Sequence, residues 1–159
     1  GRAVAGTRFT YALGSLVLWS PSPEMVDAAG EVLESDAFRF LSLANPRLAP
    51  YGRAAQQVLE ELGLWQSMQS RIVRGENIGQ AFQFVASGNA EIGFVARSQI
   101  ERPGQTRHGS WWEVPGDLHS PIEQQAVLLV DDPVAREFLA YVRTKEVAEI
   151  LSSFGYEIP

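Results

Sequence analysis

Residues 38–96 read FRFLSLANPRLAPYGRAAQQVLEELGLWQSMQSRIVRGENIGQAFQFVASGNAEIGFVA. Three short apolar runs, at 38–44, 71–73 and 90–96, alternate with two amphipathic segments. Over 53–62, Ala54, Ala55, Val58, Leu59 and Leu62 recur at helical spacing, and Gly63 is placed to end that helix as its left-handed residue. Asn77 and Gln80 have the spacing of a helix cap and its reciprocal partner. Ile78, Ala81, Phe82 and Val85 form the apolar face behind them, and Gly88 closes the segment. This βαβαβ alternation predicts an α/β fold with a parallel-rich sheet flanked by helices. Right-handed crossovers then bring both helix N-termini to the C-terminal ends of their strands.

Outward from this block the pattern changes. Residues 9–20 (FTYALGSLVLWS) predict one long strand, or two joined at Gly14, stopped by Pro21. Residues 21–37 read as a loop with one short helical turn. Residues 101–120 read as a polar connection holding one extended piece around Trp111 and Trp112, whose side chains point to opposite faces. Residues 126–130 predict a buried strand. Asp132 before Pro133 is a strong helix start, Thr144 caps a final helix, and Gly155 ends it. One strand and two amphipathic helices do not make a self-sufficient domain. Their apolar faces need a partner sheet.

Composition narrows the function. Of 159 residues, 19 are acidic and 13 basic, for a formal net charge of -6 and no dense basic patch, so nucleic acid is not an expected partner. The absence of cysteine excludes disulfides, thiolate metal sites and thiol nucleophiles. No stretch is long and apolar enough to read as a membrane span, and the opening GRAVAG does not read as a signal peptide. His108 and His119 lack metal-ligand partners at zinc spacing, so no metal site is expected. No serine sits in a nucleophile elbow and no phosphate-binding glycine loop occurs, so an enzyme is not expected. The pairs Glu60-Glu61 and Asp131-Asp132 fall on a helix's solvent side and at a helix start.

The chemistry concentrates in two strand-to-helix turns, Ala49-Pro50-Tyr51-Gly52 and Gly75-Glu76-Asn77-Ile78. The first turn of a helix leaves amide N–H groups unsatisfied, and the helix dipole adds partial positive charge. Two such turns side by side can hold a small anion without a basic side chain. Gly52 lets the backbone approach closely. Arg53 and Arg74 lie nearby, and could reach an anion or pair with a carboxylate such as Glu76.

The same residues carry a resemblance. ANPRLAPYGRAAQQVLEELGLW (44–65), RGENIGQAFQFVASGNAEIGFVA (74–96), WEVP (112–115) and PIEQQAVLL (121–129) resemble, in order and spacing, the periplasmic molybdate-binding proteins of ABC importers. The opening GTRFTYALGSLVLWS (6–20) and the closing Phe154-Gly155-Tyr156 are similar too, so the resemblance spans nearly the whole chain. It implies a type II periplasmic-binding-protein fold, in which two lobes close over molybdate or tungstate held by backbone amides and hydroxyls, with no cofactor and no catalysis. By this similarity Tyr51 and Ile78 match positions whose amides bind the oxyanion, and Asn77, Pro50 and Gly52 are expected with them in the ligand-binding set. Some members add a tyrosine hydroxyl where this chain has Ala96, so that contact does not carry over.

The resemblance further implies that 15–120 form a complete ligand-binding lobe, while 1–14 and 121–159 form part of the first lobe, whose N-terminal portion is lacking. About half of the family's oxyanion ligands are then expected here, with binding impaired. The implied partners are the membrane subunits of an ABC importer, and either an N-terminal fragment or a second copy covering the incomplete lobe. The implied location is the periplasm. The alternative is an effector-sensing domain of a transcriptional regulator with the same fold.

Overall fold

The apolar run at 9–20 divides at Ser15, because its two halves serve different sheets. A computed structural model describes residues 3–159. The strands are β1 (Phe9–Gly14), β2 (Leu16–Ser20), β3 (Leu41–Ala44), β4 (Ile72–Gly75), β5 (Ile92–Ala96), β6 (Ser110–Glu113) and β7 (Ile122–Ala126). The helices are α1 (Pro50–Glu61), α2 (Trp65–Met68), α3 (Ile78–Ala86), α4 (Arg97–Ile100), α5 (Pro133–Val142) and α6 (Lys145–Ser153), with a 3-10 turn at Glu31–Glu34.

Strands β4-β3-β5-β2-β6 form one five-stranded sheet, and β1 with β7 forms a separate antiparallel ladder. The β3–α1–β4–α3–β5 alternation is present, and β3 runs parallel to both β4 and β5. The sheet is mixed rather than wholly parallel, since β2 runs antiparallel to β5 and to β6. The result is a mixed α/β sheet flanked by helices, with β1 and β7 outside it.

Both faces of this sheet are covered, so β2, β3 and β5 are buried along their whole length. Alternate residues of β2 serve opposite faces. Leu16 and Leu18 join Leu41, Leu43, Val58, Leu59, Phe94 and Trp112 under α1. Val17 and Trp19 join Val85 and Val95 under α3, where Trp19 and Phe82 stack with centroids 5.2 Å apart. Each such fully buried side chain contributes about 1.5–3 kcal/mol. The two tryptophans of β6 divide as pleating requires, Trp112 in the first cluster and Trp111 against the second.

Several elements differ from the sequence reading. α1 starts at Pro50 rather than Arg53, because proline's fixed φ suits the first helical position and Ala49 takes the extended cap geometry. The expected strand at 126–130 lies instead at 122–126, where Ile122 is buried and Glu123 and Gln125 are exposed. Beyond it Leu128 is buried but Val127, Leu129 and Val130 are exposed. Leu128 is tied at its backbone, its N–H donating to Thr7 Oγ1 at 3.2 Å and its carbonyl accepting from Val4 at 2.8 Å. The short helices α2 and α4 had no sequence signal strong enough to read.

The caps behave as read. Asp132 Oδ1 accepts from Val134 and Ala135 at 2.9 and 3.1 Å, and Thr144 Oγ1 accepts from Val147 at 3.4 Å. Neither α5 nor α6 has a buried residue. Val134 is 72% exposed and Phe138 63%. No described helix is long and apolar enough to cross a membrane.

Candidate functional site

The parallel pairing of β3 with β4 decides the geometry of the two turns. Ala44 stands opposite Gly75 at the ends of these strands, and the Asn45 N–H donates to the Gly75 carbonyl at 2.6 Å. Each strand therefore ends beside the other and opens into its own helix. The N-termini of α1 and α3 lie at neighbouring positions on one sheet edge.

In the first turn, Asn45 arranges the loop. Its carbonyl accepts from Leu48 and Ala49 at 3.0 and 2.9 Å, and its Oδ1 accepts from Arg47 at 3.0 Å. The Arg53 N–H is spent on the Ala49 carbonyl at 3.1 Å. Pro50 has no N–H and serves only as the first helical residue. The N–H groups of Tyr51 and Gly52 find no acceptor among the described residues, although both residues are buried. The first turn of a helix leaves such N–H groups without an intrahelical acceptor, so both can donate to an outside acceptor. Gly52 is required here for space: a Cβ on it would fall 2.2 Å from the Ala44 carbonyl oxygen.

The second turn is capped as its spacing predicts. Asn77 Oδ1 accepts from Gln80 N–H at 2.9 Å, and Gln80 Oε1 accepts from Glu76 N–H at 2.7 Å. The Ala81 N–H goes to the Asn77 carbonyl at 3.1 Å. Those bonds leave the N–H groups of Ile78 and Gly79 uncommitted among the described residues. The Asn77 Oδ1 is thus spent as a cap, while its Nδ2 donates to no acceptor among the described residues. Gly79 was missed by sequence reasoning, since nothing marks a donor position except its place one residue into the helix. The Ile78 side chain packs against the same cluster that contains Tyr51.

Arg74 donates to Gln69 Oε1 at 2.6 Å, and Arg53 forms no ion pair among the described residues. Burial pushes the Tyr51 phenol far above its ordinary range, with the neighbouring Tyr156 and Tyr11 adding to the effect, so the ring stays neutral. A cavity of about 380 Å³ lies between α1 and the start of β7 and is walled by Pro50, Arg47, Arg53, Gln57, Ser120 and Ile122. Tyr51, Asn77 and Ile78 do not line it. No cluster of three or more metal-ligating side chains occurs among the described residues.

Neutral backbone donors are thus gathered where β3 and β4 open into their helices. The chain belongs to the bacterial extracellular solute-binding protein family, whose model matches residues 1–157. Among its relatives, a molybdate-binding protein ModA of Azotobacter vinelandii is 52% identical over 159 residues, covering 98% of this chain and 63% of the relative. A molybdate-binding protein ModA of Rhodobacter capsulatus is 46% identical over 160 residues, with 98% and 62% covered. The solved periplasmic molybdate-binding protein of Azotobacter vinelandii superimposes with a TM-score of 0.93 at 40% identity, over 99% of this chain and 70% of that one. The chain thus spans 63% and 62% of the length of these two curated relatives.

Proposed function

We propose that this chain carries part of a binding site for a tetrahedral oxyanion, molybdate or tungstate, which an ABC importer then takes up. The single observation that carries the reading is the pair of uncommitted amide turns, Tyr51-Gly52 and Ile78-Gly79, opening from strands paired at Ala44 and Gly75. The 52% and 46% identity to molybdate-binding relatives supports the choice of anion. Backbone N–H groups only donate, so they favour an anion whose oxygens are all free to accept. Two helix dipoles supply the positive potential that arginines supply elsewhere.

On this reading 15–120 form one complete lobe. Residues 1–14, of which 1 and 2 lie outside the described residues, and 121–159 contribute to another lobe. The separate β1–β7 ladder supports that division. The exposed apolar side chains of α5 and α6, with Leu129 and Val130, form the surface on which the remainder of that lobe, or a second copy, packs.

Taken as a separate polypeptide, these 159 residues offer only the donors of their own turns. Each missing donor to a charged partner removes about 1.5–3 kcal/mol, so their affinity alone falls orders of magnitude below that of a two-lobed site. Calorimetric titration with molybdate, tungstate and sulfate tests this. Weak binding of the first two, strengthened by an added N-terminal fragment of a longer relative, is the expected result. Micromolar or tighter binding by the bare chain contradicts the half-site account, and preference for sulfate contradicts the choice of anion.

A further inference from the structure

Gln99 joins two elements that are distant in sequence. Its Oε1 accepts the Ala96 N–H at 2.9 Å, and its Nε2 donates to the Ile78 carbonyl at 3.2 Å. Ala96 is the last residue of β5, and Ile78 is the first residue of α3. One partner can only donate and the other can only accept, so a single orientation of the amide satisfies both.

A cap for the short helix α4 needs only the bond to Ala96. The second bond reaches into the anion turn. A trans peptide is planar, with its C=O and N–H antiparallel, so the direction of the Ile78 carbonyl fixes the direction of the Gly79 N–H. That N–H is one of the turn's two uncommitted donors. Gly79 has no side chain to lock its own peptide, and the only atom near a Cβ built there is Asn77 Oδ1 at 3.2 Å. The cap at Asn77 holds the turn from the β4 side, and Gln99 holds it from the β5 side.

We propose that Gln99 is a positioning residue for the α3 anion turn, setting the aim of the Gly79 N–H through its hold on the Ile78 carbonyl. The proposal rests on the oxyanion-binding reading given above. It assigns to a residue outside both turns a second hold on donor direction, added to the helical bond that the Ile78 carbonyl accepts from Phe82 N–H.

The test uses the 159-residue chain as wild type, Gln99→Met and Gln99→Glu, followed by proton–nitrogen NMR and titration with sodium molybdate. Methionine matches the length and keeps neither bond; glutamate keeps the acceptor for Ala96 and loses the donor to Ile78. The Gly79 amide resonance is expected to move in both ligand-free variants. The Ala96 amide is expected to stay protected from exchange in Gln99→Glu and to lose protection in Gln99→Met. Affinity is read on Gln99→Met, which adds no charge, and should fall about fivefold, the size of one hydrogen bond's contribution. An unmoved Gly79 resonance overturns the proposal, as does unchanged molybdate affinity in Gln99→Met. If Gln99→Met does not fold, the Gly79 resonance of Gln99→Glu decides. If the wild type binds no oxyanion, the binding reading falls by itself, and the Gly79 resonances alone decide whether Gln99 aims that donor.

Discussion

Gly14 lies directly under the tip of Tyr51: a methyl group on Gly14 would fall 2.2 Å from Tyr51 Oη and 2.8 Å from Cζ. Gly14 ends β1, the strand of the small ladder, while Tyr51 carries one of the uncommitted amides at the start of α1. The ring that anchors the first turn is therefore seated at the junction between the two sheets. Gly14→Ala should displace the ring, destabilise the fold by about 1–3 kcal/mol, and weaken oxyanion binding. Thermal unfolding and titration of the same sample check both effects. An unchanged melting temperature together with unchanged affinity contradicts this seating.

The amide, not the phenol, is the donor assigned to Tyr51. The hydroxyl is buried and held neutral, with burial its main cause. Tyr51→Phe should keep oxyanion affinity within about twofold of wild type, because the backbone N–H and the ring packing both remain. A tenfold loss on calorimetry would reassign the contact to the hydroxyl.

Gly52 has a harder constraint than Gly14. A Cβ there meets backbone, at 2.2 Å from the Ala44 carbonyl oxygen and 2.7 Å from its carbon. Backbone at a strand end cannot rotate away as a side chain can. Gly52→Ala should push α1 off the end of β3 and cost about 2–3 kcal/mol. Urea unfolding measures that loss directly, and a midpoint equal to wild type contradicts the close approach.

An ion-pair group ties α4 to the connection before β6. Glu101 bonds both Arg97 and Arg107, and Arg107 also reaches Glu113 at 3.1 Å. Burial pulls the Glu101 carboxyl upward, yet the hydrogen bonds from Arg97 and Arg107 outweigh it and hold the group below its ordinary range. A carboxylate depressed on folding contributes stability that is fully present above roughly pH 5 and is lost as pH falls through the folded value. Glu101→Gln should cost about 1 kcal/mol at neutral pH, and its difference from wild type should vanish in acid. Melting temperatures across that range check the sign. A gap that widens in acid contradicts it.

Phe138 and Val134 are exposed on α5, beside Tyr141 on the same helix and Ile150 on α6. Phe138→Glu should lower the sedimentation-derived mass of the purified chain toward that of a monomer without lowering its melting temperature. A wild-type chain that is already monomeric at high concentration removes self-association from the account.

Much of this architecture was legible because local and tertiary signals agree over 38–96. The Asn77/Gln80 spacing, the helix stop at Gly63 and the apolar stripes all point to the same elements, and those elements formed. The strand after residue 120 was misplaced because the apolar run Val127-Leu128-Leu129-Val130 outweighs the polar alternation of Ile122–Ala126 in any reading by hydrophobicity. Only pairing with β1 selects the latter. In the two turns, the places of Tyr51 and Ile78 at helix starts were legible from turn position, and the binding role given to them is the proposal above. Gly79 and Gln99 were not, because a free amide and a bridging side chain acquire meaning only when β5 and α3 are brought together.

The most direct test is to delete one amide and nothing else. Ile78 is the first residue of α3, and Asn77 before it is extended at φ -144° and ψ 172°, a geometry that tolerates a following proline. Ile78→Pro therefore removes the N–H while keeping the helix, and Ile78→Ala is the control for the lost side chain. Molybdate titration should find Ile78→Ala close to wild type and Ile78→Pro weaker by about tenfold or more, as loss of a hydrogen bond to a charged ligand requires. Equal affinity of the two variants would contradict oxyanion binding through these backbone donors.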